Sequence, residues 1–195
     1  MSPAPARTSR VAIVAAARAL LEEGGLEAVT MQAVADRVGV KAPSLYKRFP
    51  GRPALIAAVA GDVAAELGAV VAPAVDVADP ADAVRLVADR YRAFAKRSPG
   101  AYQLLFTRLL PEANPTAEAN AAGAAGLLLV TERLAGRERA LETARLLTAF
   151  VHGFASMELA GAFRLGGDVG VAYRFGIAAI ITGVRATDST ALPVR

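Results

Sequence analysis

The sequence predicts an all-α protein of about nine helices. Three observations predict this class: apolar residues recur at helical spacing, alternating strand patterns are absent, and Gly or Pro interrupts the chain at intervals of helix length. The chain has 195 residues, enough to bury a core without disulfides, and no Cys. We therefore expect a protein of the reducing cytoplasm with no thiol catalysis. Its single His forms no metal-binding cluster, so we expect no metal and no cofactor.

Residues 1–54 are expected to form a three-helix domain. The first helix runs from about Ser9 to Glu23 and ends at two glycines. Thr30 is the expected N-cap of a second helix, Met31–Val38. Gly39 supplies a turn into a third helix, about 42–48, in which Pro43 occupies the first turn. The second helix has an apolar stripe at positions i, i+3, i+4 and i+7, formed by Met31, Val34, Ala35 and Val38.

Residues 55–195 are expected to form a second helical domain. Proline, glycine and capping residues place its helices at about 53–71, 80–97, 101–110, 115–135, 137–165 and 169–185. The helix at 80 is preceded by Asp79, the expected N-cap, and begins with Pro80. The longest stretch without a charged residue, Ala119–Thr131, is too short to span a bilayer, so we expect no membrane association.

The excess positive charge lies entirely in the first quarter of the chain. Residues 1–53 contain eight basic and four acidic residues, whereas the rest contains fourteen of each. This distribution is expected if the first quarter faces a polyanion and the remainder does not. Chance also produces an imbalance of this size in a segment of this length, so the charge distribution alone does not establish that the segment binds a polyanion.

Two short helices joined at Gly39, the second with polar and basic residues, describe a helix-turn-helix that reads the major groove of double-stranded DNA. The expected phosphate contacts are Lys41, Tyr46, Lys47, Arg48 and Arg52. Ala42, Pro43 and Ser44, at the tip of the third helix, are expected to approach base edges, and Lys41 or Lys47 is an alternative guanine contact. The other interpretation is a solvated face on a three-helix bundle.

The segment around this motif resembles the TetR family of bacterial transcriptional regulators over about residues 10–60. The resemblance lies in Ala15-Ala16, Gly25, Thr30, Val34-Ala35, Gly39-Val40, Leu45-Tyr46, Phe49 and Leu55. It adds Thr30 and Gln32 to the expected DNA-contacting residues and implies an operator-binding regulator. Lys41 departs from the Ser or Thr that is usual at that position in the family, which implies a weaker helix cap and an additional phosphate contact.

A second resemblance, to the WHG-type effector domain that follows such DNA-binding modules, covers the C-terminal half. It lies in residues 150–159, the Gly166-Gly167 loop and the helix around 175–184, although Phe150 stands nearest the position of the signature's tryptophan. The resemblance implies a domain that binds an unknown small-molecule effector and dimerises. The ligand-pocket residues it suggests are Tyr91, Phe94, Tyr102, Phe106, Phe150 and Met157, each of which ordinary core packing explains about equally well.

Small residues on the last two helices predict that these helices pair with those of a second subunit. The expected interface residues are Gly153, Gly161, Phe175, Gly176, Ala179 and Gly183. We thus expect a homodimeric, ligand-responsive repressor of a partly palindromic operator, without catalytic residues. Two rival interpretations stay open: a small helical enzyme that uses His152, which lacks a catalytic partner, and a helical module whose basic tip binds an acidic protein.

Overall fold

The computed structural model describes residues 9–188, so the ends of both predicted domains, 1–8 and 189–195, lie outside the described residues. Within this range the protein has nine α-helices and no strand, and the predicted fold class is confirmed. The helices are α1 (Arg10–Ala28), α2 (Met31–Val38), α3 (Pro43–Tyr46), α4 (Arg52–Val71), α5 (Pro80–Arg97), α6 (Pro99–Leu104), α7 (Ala117–Ala135), α8 (Ala140–Leu159) and α9 (Val169–Asp188).

The described residues divide into two compact units. The first unit contains residues 9–66 and 98–122, and the second contains residues 67–97 and 123–188. The chain therefore passes between the units within α4, between α5 and α6, and within α7. The predicted domain boundary after residue 54 falls inside the first unit, near the start of α4. The predicted division into domains 1–54 and 55–195 stays a prediction.

The first unit forms because α1, α2, α3 and the start of α4 each contribute one apolar face to a common core. The Ser9 hydroxyl caps α1 by accepting a hydrogen bond from the Ala12 N–H at 3.1 Å. Although α1 continues to Ala28, the backbone of Gly24 and Gly25 is not helical, so the regular helix ends at Glu23 as expected. The side chains that are almost completely buried in this core are Ile13, Ala17, Val34, Leu45, Phe49, Leu55, Val59 and Val63.

The second unit packs α5 against α8 and α9. Asp79 caps α5 as predicted, with Oδ1 accepting hydrogen bonds from the N–H groups of Ala81 (2.6 Å) and Asp82 (3.1 Å). The carbonyls at the end of α4 and just after it are bound by arginines: Arg90 donates to Val70 O, and Arg133 donates to the carbonyls of 75, 77 and 78. These bonds satisfy helix-end carbonyls that would otherwise need water.

Helices α8 and α9 approach each other closely at Gly176. A Cβ at this position would lie 2.2 Å from Cζ and 2.6 Å from Cε2 of Phe150, so any side chain there would displace the ring. The half-buried Phe150 ring packs against two other rings, since its centroid lies 5.8 Å from that of Tyr173 and 5.7 Å from that of Phe154. Glycine at 176 thus leaves room for this ring within one protomer.

Replacing Gly176 with Ala is expected to destabilise the protein by about 1–3 kcal/mol, the usual cost of forcing extra volume into a packed core. Gly126→Ala is the matched control, because a Cβ there has ordinary contacts of 3.5 Å or more and alanine favours the helix. Urea unfolding of the two variants measures the difference. Equal stability of both would show that the Phe150 ring moves away freely.

Helices α6 and α8 are shorter than the sequence predicts. The sixth was expected over 101–110 but ends at Leu104, because the next three amide groups donate to carbonyls three residues back, which breaks the α-helical pattern. The eighth was expected over 137–165 but is Ala140–Leu159. The helix ends at Leu159 because Gly161, two residues further on, has a left-handed φ of 62°. The Ala162 N–H donates to Met157 O at 2.9 Å, which completes a helix-ending motif.

By length and composition alone, two helical stretches of the described chain pass the test for a membrane span, Arg52–Asp76 and Val169–Thr187. The first contains Asp62 and Glu66, and nearly half of its most apolar window is buried inside the protein. Core helices of soluble proteins pass the same test. The second is only 22% buried, so its apolar face is available for contact with another surface.

Candidate nucleic-acid interface

Helix α2 is capped at both ends by its own residues. Thr30 Oγ1 accepts a hydrogen bond from the Ala33 N–H at 3.1 Å. At the other end Gly39 has φ 74° and ψ 40°, a left-handed conformation that side chains disfavour, and its N–H donates to the carbonyls of Ala35 and Asp36. This turn directs the chain into α3, so the predicted helix-turn-helix is confirmed.

Helix α3 is shorter than the predicted 42–48. Ala42 already has helical angles, and the Lys41 carbonyl accepts the first hydrogen bond, from Ser44 N at 2.9 Å. The regular helix is only Pro43–Tyr46, because the Arg48 N–H donates to Leu45 O, three residues back, and tightens the last turn. Apolar side chains anchor α3 to the core of the first unit. Leu45 is completely buried, and Phe49, which follows the helix, is nearly so.

The structure separates the basic residues of the first unit into two groups. Those away from α3 are engaged within the protein: Arg18 pairs with Asp62 and Glu66, Arg37 pairs with Glu23, and the Arg10 guanidinium lies 4.4 Å from the centre of the Phe49 ring. In contrast Lys41, Lys47 and Arg48 are exposed and have no hydrogen-bond or ion-pair partner among residues 9–188. These three cations are therefore available to phosphate groups.

The remaining predicted contacts on α3 lie on or near its exposed side. The Tyr46 side chain is 53% exposed, although tyrosine is usually more buried, and Pro43 is exposed. Ala42 and Ser44 are half-buried at the start of the helix. A short helix with an exposed phenol, an exposed proline and adjacent cations has the chemistry of a surface that contacts DNA backbone and base edges.

Three other predicted contacts also have structural roles. Thr30 is exposed and caps α2, while the Gln32 amide donates to Asp36 Oδ1 at 2.7 Å along the exposed side of that helix. Arg52 donates from Nε to Val29 O and from Nη2 to Leu26 O, both at 2.7 Å, and so holds the connection between α1 and α2. Its predicted phosphate contact stays a prediction, which its remaining donors would have to supply.

Sequence reasoning missed the ion pair that joins α1 to α2. Arg37 donates from both Nη atoms to the Glu23 carboxylate, at 2.6 and 2.5 Å. This bidentate hydrogen bonding lowers the pKa of Glu23 and raises that of Arg37. The two residues are fourteen positions apart in sequence, and only the turn at Gly24 and Gly25 brings them together. Arg37 is thus a residue that supports the interface.

A second missed cluster lies in the second unit, where Arg92 of α5 bridges α8 and α9. Arg92 donates to both oxygens of Glu158, at 2.7 and 2.8 Å, and its guanidinium lies 4.6 Å from the centre of the Tyr173 ring. Lys96 donates to Glu158 at 2.9 Å, and the buried Tyr173 hydroxyl donates to Ala88 O at 2.6 Å. This cluster ties together α5, α8 and α9, the three helices packed in the second unit.

Acid is expected to weaken the cluster around Glu158. The hydrogen bonds from Arg92, and secondarily those from Lys96, hold the pKa of Glu158 below its usual range. Because this pKa is lower in the folded state, the pairing stabilises the fold above the unfolded-state pKa and is lost as pH falls through the folded-state pKa. Glu158→Gln should cost about 1–3 kcal/mol at neutral pH, and the difference from wild type should shrink below about pH 4.

Urea unfolding at a series of pH values measures this effect. Glu142→Gln is the control, since Glu142 is exposed on the same helix and has no ion-pair partner among the described residues. Its effect should be small and nearly independent of pH. A Glu158→Gln variant whose deficit persists unchanged at pH 3 would show that the deficit comes from packing and not from the charge.

The residues predicted for the ligand pocket fall in both units. Tyr91 and Phe94 are buried in the second unit, where Phe150 is half-buried and Met157 is 47% exposed. Burial raises the pKa of the Tyr91 hydroxyl. Tyr102 is fully buried and Phe106 is 39% exposed in the first unit, with ring centres 5.2 Å apart. Pocket membership stays a prediction for all six.

The residues predicted for the dimer interface differ in their exposure and in what surrounds them. Phe175 is 75% exposed, Ala179 is exposed, and Gly153 and Gly183 have open space where a Cβ would be. Gly161 follows the end of α8, and a Cβ at Gly176 of α9 would meet Phe150 of the same chain. Membership of a subunit interface stays a prediction for all six. Met157 and Phe175 line one open cavity of about 770 Å³ beside the loop at 162–168.

The single histidine, His152, belongs to the second unit. His152 is half-buried on α8, and burial lowers its pKa. Within the described residues no group of three or more His, Asp or Glu side chains is arranged to hold a metal ion. The helix-turn-helix fold points to a DNA-binding regulator rather than to an enzyme.

An all-helical chain whose N-terminal helix-turn-helix presents three cations unpaired within residues 9–188 defines the class: a DNA-binding transcriptional regulator. Two family models match it. Residues 13–59 match the bacterial regulatory proteins of the tetR family, and residues 84–180 match the tetracyclin repressor-like C-terminal domain. The chain belongs to the TetR family of transcriptional regulators.

Relatives agree with this assignment. The chain is 32% identical over 164 residues to the uncharacterized HTH-type transcriptional regulator Rv0681 of Mycobacterium tuberculosis, covering 80% of this chain and 73% of that protein. A solved structure of a protein of unknown function from Rhodococcus sp. RHA1 has a TM-score of 0.76 at 21% identity, covering 94% and 98% of the two chains. A TetR variant from Acinetobacter baumannii AYE in complex with minocycline has a TM-score of 0.71 at 22% identity, covering 93% and 99%.

Proposed function

We propose that this protein is a ligand-responsive repressor of the bacterial cytoplasm. It binds a partly palindromic operator as a homodimer and is released by a small, mainly apolar effector. The observation that carries the proposal is the group of unpaired cations on and beside α3, Lys41, Lys47 and Arg48, next to the exposed Tyr46. The other basic side chains described in residues 9–53 are bound within the first unit, so these three mark the DNA-facing side.

In this proposal each protomer inserts α3 into the major groove. Lys47, Arg48 and Lys41 bind phosphates and set the position on the duplex, while Pro43 and Ser44 approach base edges. Two such heads related by a two-fold axis read two half-sites, which explains a partly palindromic operator.

The dimer is proposed to form through α8 and α9. Large apolar side chains remain exposed on these helices: Leu141 (47%), Leu146 (48%), Val171 (54%) and Phe175 (75%). Exposed apolar side chains of this number on two adjacent helices are typical of a protein–protein contact. Pairing with the same helices of a second copy would bury them, and the open space at Gly153 and Gly183 allows close approach. Regulators of this family act as dimers.

The effector is proposed to bind among the aromatic residues of the helical body. Tyr91 and Phe94 of α5 are buried and Phe150 of α8 is half-buried, so an effector that binds here has to displace packed aromatic side chains, which favours an apolar or planar ligand. The structural relative from Acinetobacter baumannii binds minocycline, and the present chain shares its fold. The switch is a shift of α4, which belongs to the first unit up to Glu66 and to the second from Leu67, so that effector binding changes the separation of the two heads.

Two measurements test the proposal. In a mobility-shift titration, the protein should bind the intergenic duplex upstream of its own gene in preference to coding DNA of equal length. The logarithm of the binding constant should fall with the logarithm of salt by about 0.9 per phosphate contact. A reporter driven by the same region should be more active when this gene is deleted. Lower activity after deletion would identify an activator, and salt-independent binding would contradict the DNA interface.

A further inference from the structure

Glu22, at the C-terminal end of the regular part of α1, caps a helix far away in sequence. Its Oε2 accepts a hydrogen bond from the Gly100 N–H at 2.9 Å, and its Oε1 accepts one from the Ala101 N–H at 2.8 Å. These are the first amide groups of α6, which have no partner within their own helix. Ser98, the N-cap residue, makes no side-chain capping bond, so Glu22 supplies the cap from 78 positions away.

Gly100 is required for this contact. A Cβ at Gly100 would lie 2.7 Å from the Leu21 carbonyl oxygen and 3.2 Å from Glu22 Cα, so only glycine lets the start of α6 approach the α1 backbone this closely. The residues on either side of the contact are well packed, since Leu21 is 3% exposed and Ala101 and Tyr102 are fully buried. This closely packed contact of Glu22 with Gly100 and Ala101 forms the joint between α1 and α6 within the first unit.

The joint lies immediately after a passage of the chain from the second unit to the first. The other two passages, at residues 66–67 and 122–123, occur inside the continuous helices α4 and α7. The passage at 97–98 occurs at a break between helices, where Ser98 has the non-helical angles φ −135° and ψ 67°. Pro99, Gly100 and Ala101, the segment that Glu22 holds, are therefore among the first residues of the first unit after this passage.

The next residue of α1 continues the connection toward the DNA-binding motif. Glu23 is bound by both Nη atoms of Arg37, in the last turn of α2. Two consecutive carboxylates therefore join α6 to α1 and α1 to α2. Gly24 and Gly25 follow directly, so this is the last regular turn of α1 before the kink.

We propose that Glu22 is a positioning residue for operator binding: it fixes the start of α6 to the end of α1 and so sets the orientation of the helix-turn-helix. Movement of the chain at Ser98 reaches the DNA-binding motif through Glu22, Glu23 and Arg37, in addition to the path through α4. This inference rests on the proposed function, because it names a route by which the effector domain regulates the same DNA interface.

The test compares three variants of the full-length protein. Glu22→Gln keeps the shape but turns an amide N–H₂ or a weaker acceptor toward the α6 amides, and Gly100→Ala disturbs the same joint from the other side. Glu112→Gln is the matched control, since it makes the same change of charge at an exposed position of the first unit that has no hydrogen-bond or ion-pair partner among the described residues. Operator affinity is measured on the upstream intergenic duplex, and hydrogen exchange is followed at Gly100, Ala101 and residues 31–49.

Glu22→Gln and Gly100→Ala are expected to bind the duplex about five-fold or more weakly than Glu112→Gln. Exchange should be faster at residues 31–49 in both variants. The urea midpoint of Glu22→Gln should stay close to that of wild type, whereas Gly100→Ala, whose Cβ would meet the Leu21 carbonyl, should lower it. If Glu22→Gln matches Glu112→Gln in affinity and in exchange, the positioning role is refuted even though wild-type binding upholds the proposed function. If wild type itself does not bind the duplex, the proposed function fails, and unchanged exchange at 31–49 would refute the joint independently.

Discussion

Replacing Lys47 and Arg48 together with alanine is expected to weaken operator binding by about 100-fold at fixed salt, roughly ten-fold for each charge-assisted hydrogen bond to phosphate that the variant cannot make. The slope of the binding constant against salt should fall by about two, because two fewer neutralised phosphates release fewer counterions. Stability should change little, since both side chains are exposed and have no partner among the described residues. Gel-shift titrations at several salt concentrations measure both quantities.

The matched control is the double variant Arg108→Ala, Arg137→Ala. These two arginines are exposed and likewise have no ion-pair partner in residues 9–188, so the control removes the same charge from elsewhere on the surface. It should leave the salt slope unchanged and reduce affinity only slightly, through long-range attraction. Equal losses in the two double variants would mean that net charge alone attracts DNA and that α3 is not the contact surface.

The sequence does not distinguish basic residues that are paired within the fold from those that are unpaired. Arg37, Arg48 and Arg52 are all arginines within one short basic segment, yet of these three only Arg48 is unpaired among the described residues. The partners of the other two are Glu23 and the carbonyls of Leu26 and Val29, which come close only after the chain has turned at Gly24 and Gly25. Such partners are set by tertiary structure, and residue spacing does not reveal them.

Local signals predicted what depends on local hydrogen bonds. The Thr30 cap, the left-handed turn at Gly39 and the Asp79 cap before Pro80 all lie where the sequence places them, because each involves residues two to four positions apart. The end of α8 was misplaced although its signal was present. Gly161 was interpreted as a small residue for helix packing, whereas its left-handed backbone ends the helix.

Tertiary packing also separates two of the predicted interface glycines. Gly176 and Gly183 lie seven residues apart on α9 and look alike in sequence, but a Cβ at Gly176 would meet Phe150 of the same chain and one at Gly183 would meet nothing. A small residue on a helix permits close approach, but its sequence position does not show which helix approaches. Their place in a subunit interface stays a prediction.

The exposed apolar surface of α9 includes Phe175. Phe175→Glu should convert the proposed dimer to a monomer at micromolar concentration. Phe175 is 75% exposed within the protomer, so a glutamate there is tolerated by the fold, whereas in a paired interface it would bury an unpaired charge opposite its symmetry-related copy. Light scattering and sedimentation velocity measure the mass, and circular dichroism confirms that the helices remain.

The Phe175→Glu variant should also bind the operator about 100-fold or more weakly. Once the subunits have separated, the second DNA-binding head binds as a separate molecule and loses the effective concentration that linkage to the first head provides. Leu110→Glu is the control, as Leu110 is 64% exposed in the first unit, far along the chain from α8 and α9, and receives the same charge. It should remain dimeric and bind the operator normally. A Phe175→Glu protein that stays dimeric would place the subunit contact elsewhere, whereas a monomer with undiminished affinity would show that one head suffices to read the operator.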